Sequence, residues 1–286
     1  MKRIEFLINE VRRNTLNTNV NKISQGDMIN HFNKAQHLIQ KIAMESNNNG
    51  NIFNNVSYFN LVTDVEKYLL PVDMYSVNSI TSVRFTSDST NYFPADRVSE
   101  RSRNRERGYS IIDNYMYISP TPKGNYPVAV EVTYPRKIRD LGIRSGTIKA
   151  PVTANSIPLD TGYDTELANK DDYFCVVDKD GVIIQSALPI ISYTGGVITT
   201  TGSIAAAGQY VVAGKYASTH SELPDSCEAF LLAFVERKIY HIDSTNDLSA
   251  QLGFTDQERQ DLAAMFADNC KDAIYPPVSN TDILWL

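Results

Sequence analysis

Residues 25–44 read QGDMINHFNKAQHLIQKIAM. Whether this stretch brings chemistry to a site or only holds something together separates an enzyme from an architectural protein. A helix turns by about 100° per residue. Met28, Phe32, Ala35, Ile39, Ile42 and Ala43 then fall on one apolar stripe, the spacing of an amphipathic helix. Ser24 followed three residues later by Asp27 resembles a capping box and marks the start. His31 lies at the edge of the stripe and His37 points roughly the opposite way, so the pair cannot converge on a metal within the helix. The expectation is a helix that packs and does not react.

Outward from that helix, MKRIEFLINEVRR places Ile4, Leu7 and Val11 on one face of a first helix over roughly residues 2–14. Its interspersed charges are unlike the apolar core of a signal peptide. Asn47 to Asn55, rich in Asn and Gly, reads as a loop. A β-rich stretch follows. VEKYLLP ends at Pro71, and SVRFTS alternates Val83 and Phe85 with polar neighbours. In VAVEVTY, Val128, Val130, Val132 and Tyr134 face one side and Ala129, Glu131 and Thr133 the other. The prolines of ISPTPKGNYP suit a turn between strands.

Composition shifts near Ser145 to Thr, Val, Ile, Gly and Ala. FCVVDKDGVIIQ reads as a hairpin with its tight turn at Asp180-Gly181, inside an inserted β-subdomain at 146–218. Helices return near Pro224, with Phe230, Leu231, Phe234, Val235, Ile239 and Ile242 as a stripe. A last helix starts at Thr255, capped by Glu258, with Leu262, Met265 and Phe266 inward. The expected fold class is α+β, a helical core built from both chain ends with a central β-rich region. The expected parts are 1–145, 146–218, 219–275 and an extended tail, 276–286.

The 286 residues carry a net charge of −6, which disfavours broad attraction to nucleic acid or anionic lipid. No run of eighteen apolar residues is present, so no membrane partner is expected. Cys175, Cys227 and Cys270 form no CxxC pair, which argues against a zinc site and a disulfide framework and for a reducing folding compartment.

No cofactor motif and no catalytic motif stands out. His241, Asp243 and Ser244 are too close along one helix to converge as a triad. Asp178 and Asp180 lack the further ligands of a calcium loop. No catalytic, cofactor-binding or metal-ligating residue is therefore named, and no enzyme is expected.

Two features remain. In RVSERSRNRERG, Arg97, Arg101, Arg103, Arg105 and Arg107 stand against Glu100 and Glu106. Pairing with a neighbouring subunit, a solvated loop and phosphate contact are all open to this segment. The chain ends in Ile283, Leu284, Trp285 and Leu286. Burying these four gains roughly 6–12 kcal/mol gross, against about 10–20 kcal/mol for ordering ten backbone residues. One tail alone is marginal, whereas several tails on a ring gain avidity. A tail folded back on its own helices is the alternative.

The order of RIEFLINEVRRNT, FNKAQHLIQ, YLLP, IDNYMYISPTP, VEVTYPRKIRDLGIRSG and ELPDSCEAFLLAFVERKIY resembles head-to-tail adaptor (neck or connector ring) proteins of short-tailed double-stranded DNA bacteriophages. The resemblance covers residues 1–145 and 219–286. It implies a homo-oligomeric ring of twelve copies in the virion, made in the host cytoplasm. Such a ring sits beneath the portal protein, gives tail or nozzle proteins a platform and lets double-stranded DNA pass through its lumen. It also implies that Ile283 to Leu286 grip the portal. The 146–218 insertion departs from the compact adaptors. Tyr163, Tyr173, Tyr193, Tyr210 and Tyr216 in it are candidate sugar-stacking faces for a second reading, a carbohydrate- or surface-binding module. A neck-associated peptidoglycan hydrolase is a third.

Overall fold

The computed structural model describes residues 3–15, 23–46, 53–86, 90–99, 106–160, 173–243 and 253–268. Helix α1 spans Ile4–Asn14 and buries Ile4, Leu7, Ile8 and Val11. Helix α2 spans Gln25–Ser46. Its start is capped reciprocally: the Asp27 N–H donates to Ser24 Oγ at 3.1 Å, and the Ser24 N–H and hydroxyl both donate to Asp27 Oδ2. Met28, Phe32, Ala35, Ile39 and Ala43 are buried as their spacing predicts, with Ile42 half-buried.

The chain divides into two compact units, one of Met1–Ile42 with Ile138–Ala263 and one of Ala43–Lys137 with the residues from Ala264 on. The second unit carries strands β1 (Asn54–Leu61), β2 (Lys67–Leu69), β3 (Ser82–Phe85), β4 (Phe93–Pro94), β5 (Gly108–Ile112), β6 (Tyr115–Ser119) and β7 (Tyr126–Pro135). They form sheets of order β1-β7-β3-β4 and β2-β6-β5. Leu61, Met74, Val83, Phe85, Tyr109, Met116, Ile118, Val130, Val132 and Tyr134 make one core between them.

Two expectations need correcting here. Strand β1 already begins at Asn54, inside the stretch read as a loop. In β7 the simple alternation fails, because Ala129, Val130, Glu131 and Val132 are all buried and Val128 is exposed. β7 is an inner strand flanked by β1 and β3, and its register against β1 shifts between Phe59 and Leu61. Val128 sits at that irregularity with φ +50°, which turns its side chain out of the pattern. Glu131, opposite both Tyr58 and Arg84, is buried because Arg84 Nε and Nη2 both donate to its Oε1, the former at 2.6 Å.

The first unit adds β8 (Asp140–Leu141), β9 (Arg144–Thr147), β10 (Ser156–Pro158), β11 (Tyr173–Val177), β12 (Ile183–Pro189), β13 (Ser192–Thr194), β14 (Val197–Thr199), β15 (Tyr210–Ala213) and β16 (Ala217–Ser218). Sheets β12-β11-β15-β9 and β10-β14-β13 bury Ile148, Ile157, Leu159, Phe174, Val176, Leu188, Ile198 and Val211 between them. β11 and β12 are the expected hairpin, joined by five residues rather than two. Asp178 Oδ1 accepts the N–H groups of Asp180 and Val182 at 2.9 and 2.8 Å, and Gly181 takes φ +81°. A carboxylate occupied in this way builds a turn, as the hairpin reading requires.

Helix α3 spans Glu228–Asp243 and α4 spans Asp256–Asp268. α3 buries Leu231, Phe234, Val235 and Ile239, and leaves Phe230 half-buried. Within the first unit α1 meets α3 and the chain that leads into it. Asn14 Nδ2 donates to Glu236 Oε1 at 2.7 Å, and the Ile4 N–H donates to the Thr219 carbonyl at 2.9 Å. The fold is α+β. Among the described residues no helix is long and apolar enough to cross a membrane.

Candidate functional site

Beside the apolar stripe of α2, Asn33, Gln36, His37 and Gln40 fall at i, i+3, i+4 and i+7 and so share a face. They meet the backbone of residues 138–141. Asn33 is bidentate to Leu141, its Oδ1 accepting the N–H at 2.6 Å and its Nδ2 donating to the carbonyl at 3.1 Å. Gln36 Nε2 donates to the Arg139 carbonyl at 2.8 Å, and Gln40 Oε1 accepts the Ile138 N–H at 3.1 Å. The Ser221 hydroxyl donates to Gln36 Oε1, and His37 Nε2 lies 2.8 Å from Asp140 Oδ1.

Gln36 and Gln40 are fully buried. The helix thus supplies donors and acceptors as a neighbouring strand would, while β8 pairs in parallel with β16. A buried peptide group left unpaired costs about 1–3 kcal/mol. The stretch 25–44 therefore holds the chain together through its amides as well as its apolar stripe. An apolar-periodicity reading passes over these amides, although their one-face spacing is visible in the sequence.

The arginine-rich segment is stapled at its foot. Arg97 forms a parallel bridge with Tyr109, the Val98 N–H donates to the Tyr109 carbonyl at 2.8 Å, and the Tyr109 N–H donates to the Asp96 carbonyl at 2.9 Å. The Ser119 hydroxyl donates to the Glu106 carbonyl. Gly108 makes the closure possible, because at φ +146° a Cβ there would lie 2.1 Å from the Asp96 carbonyl oxygen. Arg97 and Arg107 are exposed, and neither has an ion pair among the described residues. Burial raises the Tyr109 hydroxyl's pKa, and the nearby Arg97 charge opposes this. Arg101, Arg103 and Arg105 lie outside the described residues, as do Ile283, Leu284, Trp285 and Leu286.

The other candidates are placed apart. His31 is half-buried, and burial followed by Lys34 and Lys238 lowers its pKa, whereas His37 is exposed against Asp140. Cys227 is buried and its thiol pushed up to about 12 by that burial. Cys175, also buried and raised, accepts the Ala217 N–H, so both behave as packing residues. Cys270 lies outside the described residues, as do Ser244 and the side chains of His241 and Asp243. Among the described residues no group of three or more potential ligands could hold a metal ion.

Of the tyrosines, Tyr163 lies outside the described residues and Tyr193 packs at the edge of the β-core. The Lys215 ammonium sits 5.2 and 5.8 Å from the rings of Tyr173 and Tyr216, and Arg144 sits 4.8 Å from Tyr210. These rings already carry a cation of the chain itself on one face.

The model of the SU10 adaptor protein family matches residues 6–168, more than half of the 286-residue chain. The chain belongs to the SU10 adaptor protein family. It is a phage structural adaptor, a virion component near the portal and tail. The matched stretch of this adaptor holds both sides of the amide clasp, residues 33–40 and 138–141, and both described arginines of the stapled loop. It stops before β11, so α3, α4 and the tail lie beyond it. No curated protein matches the sequence.

Proposed function

We propose that this adaptor forms a homo-oligomeric ring, of twelve copies, that joins the portal of a short-tailed phage to its tail and lines the DNA exit channel. The observation that carries the reading is family membership over residues 6–168. In this reading Ile283, Leu284, Trp285 and Leu286 dock on the portal. Arg97, Arg101, Arg103, Arg105 and Arg107 face a neighbouring subunit, and DNA crosses the lumen without sequence-specific contact. The protein is made in the host cytoplasm and works without a cofactor or catalysis.

The test is mass photometry of the purified chain with and without portal, repeated on a variant ending at residue 276. The full chain is expected to add to portal as a closed ring. The truncated chain is expected to stay folded by circular dichroism and to lose portal binding. A full chain that remains monomeric beside portal would overturn the ring. A truncated chain that binds with undiminished affinity would overturn the role of the tail.

A further inference from the structure

Strand β1 is the outer edge of the sheet β1-β7-β3-β4. In an antiparallel ladder the N–H and carbonyl of one residue point the same way, and successive residues alternate. The Arg136 N–H donates to the Phe53 carbonyl at 3.0 Å, whereas the Thr133 carbonyl accepts the Thr81 N–H from the β3 side at 2.9 Å. Counted along the register from Asn54↔Pro135 to Phe59↔Val130, the backbones of Asn55, Ser57 and Phe59 therefore bond to β7. Those of Val56 and Tyr58 point off the edge, with no partner among the described residues.

The side chains at these two positions are uncovered as well. Val56 is 42% and Tyr58 52% exposed, on the face away from the core. Tyr92 extends this surface, its ring 6.0 Å from that of Tyr58 and its hydroxyl donating to the carbonyl of exposed Val128. Sheet edges are ordinarily blunted by charge, proline or shortness. The opposite edge is, since β4 has two residues and one is Pro94. β1 runs for eight residues without a proline, and residues 46–63 carry no charged side chain.

The strand also fits itself. Laid antiparallel on a second copy about Ser57, NNVSYFNL sets Val56 against the second copy's Tyr58, and Tyr58 against its Val56. All four of these residues point their backbone groups off the edge, so each N–H and carbonyl finds a partner in this register. Each pair places a β-branched side chain beside an aromatic one, a favourable cross-strand combination. Asn54 falls opposite Asn60, and no charge is buried along the seam.

We propose that β1 pairs antiparallel with β1 of a second copy across a two-fold axis at Ser57, joining two four-stranded sheets into one of eight. Such a contact is isologous: each edge covers the other, and neither is left to recruit a third chain. A ring needs a head-to-tail contact instead. The pairing is therefore a property of the chain without portal and does not rest on the ring reading.

Sedimentation of the full chain alone, across the micromolar range, is expected to show a dimer. Val56→Lys with Tyr58→Lys sets lysine against lysine twice and is expected to weaken it roughly tenfold or more, with the circular dichroism unchanged because both positions are exposed. Val56→Lys with Tyr58→Glu sets lysine against glutamate twice and is expected to restore association. At the axis Ser57 faces its own copy in a non-hydrogen-bonded pair, with Cα atoms about 4.5 Å apart, within a disulfide's reach. Ser57→Cys is thus expected to give a disulfide-linked dimer on mild oxidation. Val56→Cys, more exposed yet about 7–8 Å from its own copy, is expected to stay at the level of the parent. A monomeric parent, equal association of the two double variants, or equal crosslinking at 56 and 57 would overturn the pairing.

Discussion

Asn33 shows how one side chain can do a strand's work. It satisfies both the N–H and the carbonyl of Leu141. Asn33→Leu leaves both groups without a partner in a half-buried place, at about 1–3 kcal/mol each, so a loss of roughly 2–6 kcal/mol of unfolding free energy, read from urea unfolding, is expected. Asn33→Asp keeps the acceptor but turns the donor into a second oxygen facing a carbonyl, and should fall between the leucine variant and the parent. Asn30, three residues earlier and exposed, is the control. Asn30→Ala should stay within about 0.5 kcal/mol of the parent. A loss at Asn33 no larger than that at Asn30 would mean that the clasp does not set the effect.

Among the elements, α4 shows a cap that is also a brace. The Glu258 N–H donates to Thr255 Oγ1 and the Thr255 N–H donates back to Glu258 Oε2, at 3.1 and 2.8 Å. The same carboxylate receives Arg237 of α3 through two bonds of 2.8 Å. Burial pushes the carboxyl upward, yet the Arg237 and Thr255 bonds prevail and hold it below its ordinary 4.5. A lowered carboxyl stabilises the fold above that value, and the contribution disappears as pH falls through the folded pKa. Glu258→Ala removes cap and brace together and should cost about 1–2 kcal/mol at pH 7. Glu258→Gln keeps a capping side chain, should cost under about 1 kcal/mol because Arg237 is partly exposed, and should flatten stability between pH 5 and 3. Urea midpoints across that range read both effects.

This cap is legible in the sequence as Thr255 with Glu258, but its bond to Arg237 is not, since nothing in local spacing brings residues 21 apart together. The same divide runs through the other elements. The apolar stripes of α1 and α2 and the β11–β12 hairpin follow from periodicity and turn chemistry. The pattern of β7 misleads, because an inner strand with an irregular register buries consecutive residues. The amides of α2 escape notice because a search for reactive groups looks for convergent acids, thiols and histidines, and amides that serve a neighbouring backbone look inert.

At the scale of the whole molecule, the charge distribution bears on how copies would meet in the proposed ring. The chain is acidic at −6, yet it presents Arg97 and Arg107 exposed at a foot pinned by Gly108 and Tyr109. If those arginines face an acidic surface of the next copy, reversing them sets like charges against each other and weakens self-association without touching the subunit core. Arg97→Glu with Arg107→Glu is therefore expected to leave the thermal midpoint of the isolated subunit within about 2 °C and to loosen the ring by roughly tenfold or more. The parent ring should weaken with added salt, and the variant should show a shallower salt dependence. Sedimentation at several ionic strengths reads both. If the pair instead meets phosphate, ring assembly should survive the reversal intact. What changes then is the retention of double-stranded DNA by the assembled ring, whose salt slope should become shallower by about one for each phosphate no longer neutralised. An unchanged ring together with unchanged DNA retention would mean that the stapled foot only closes the loop, and that the surface where copies meet lies elsewhere on the chain.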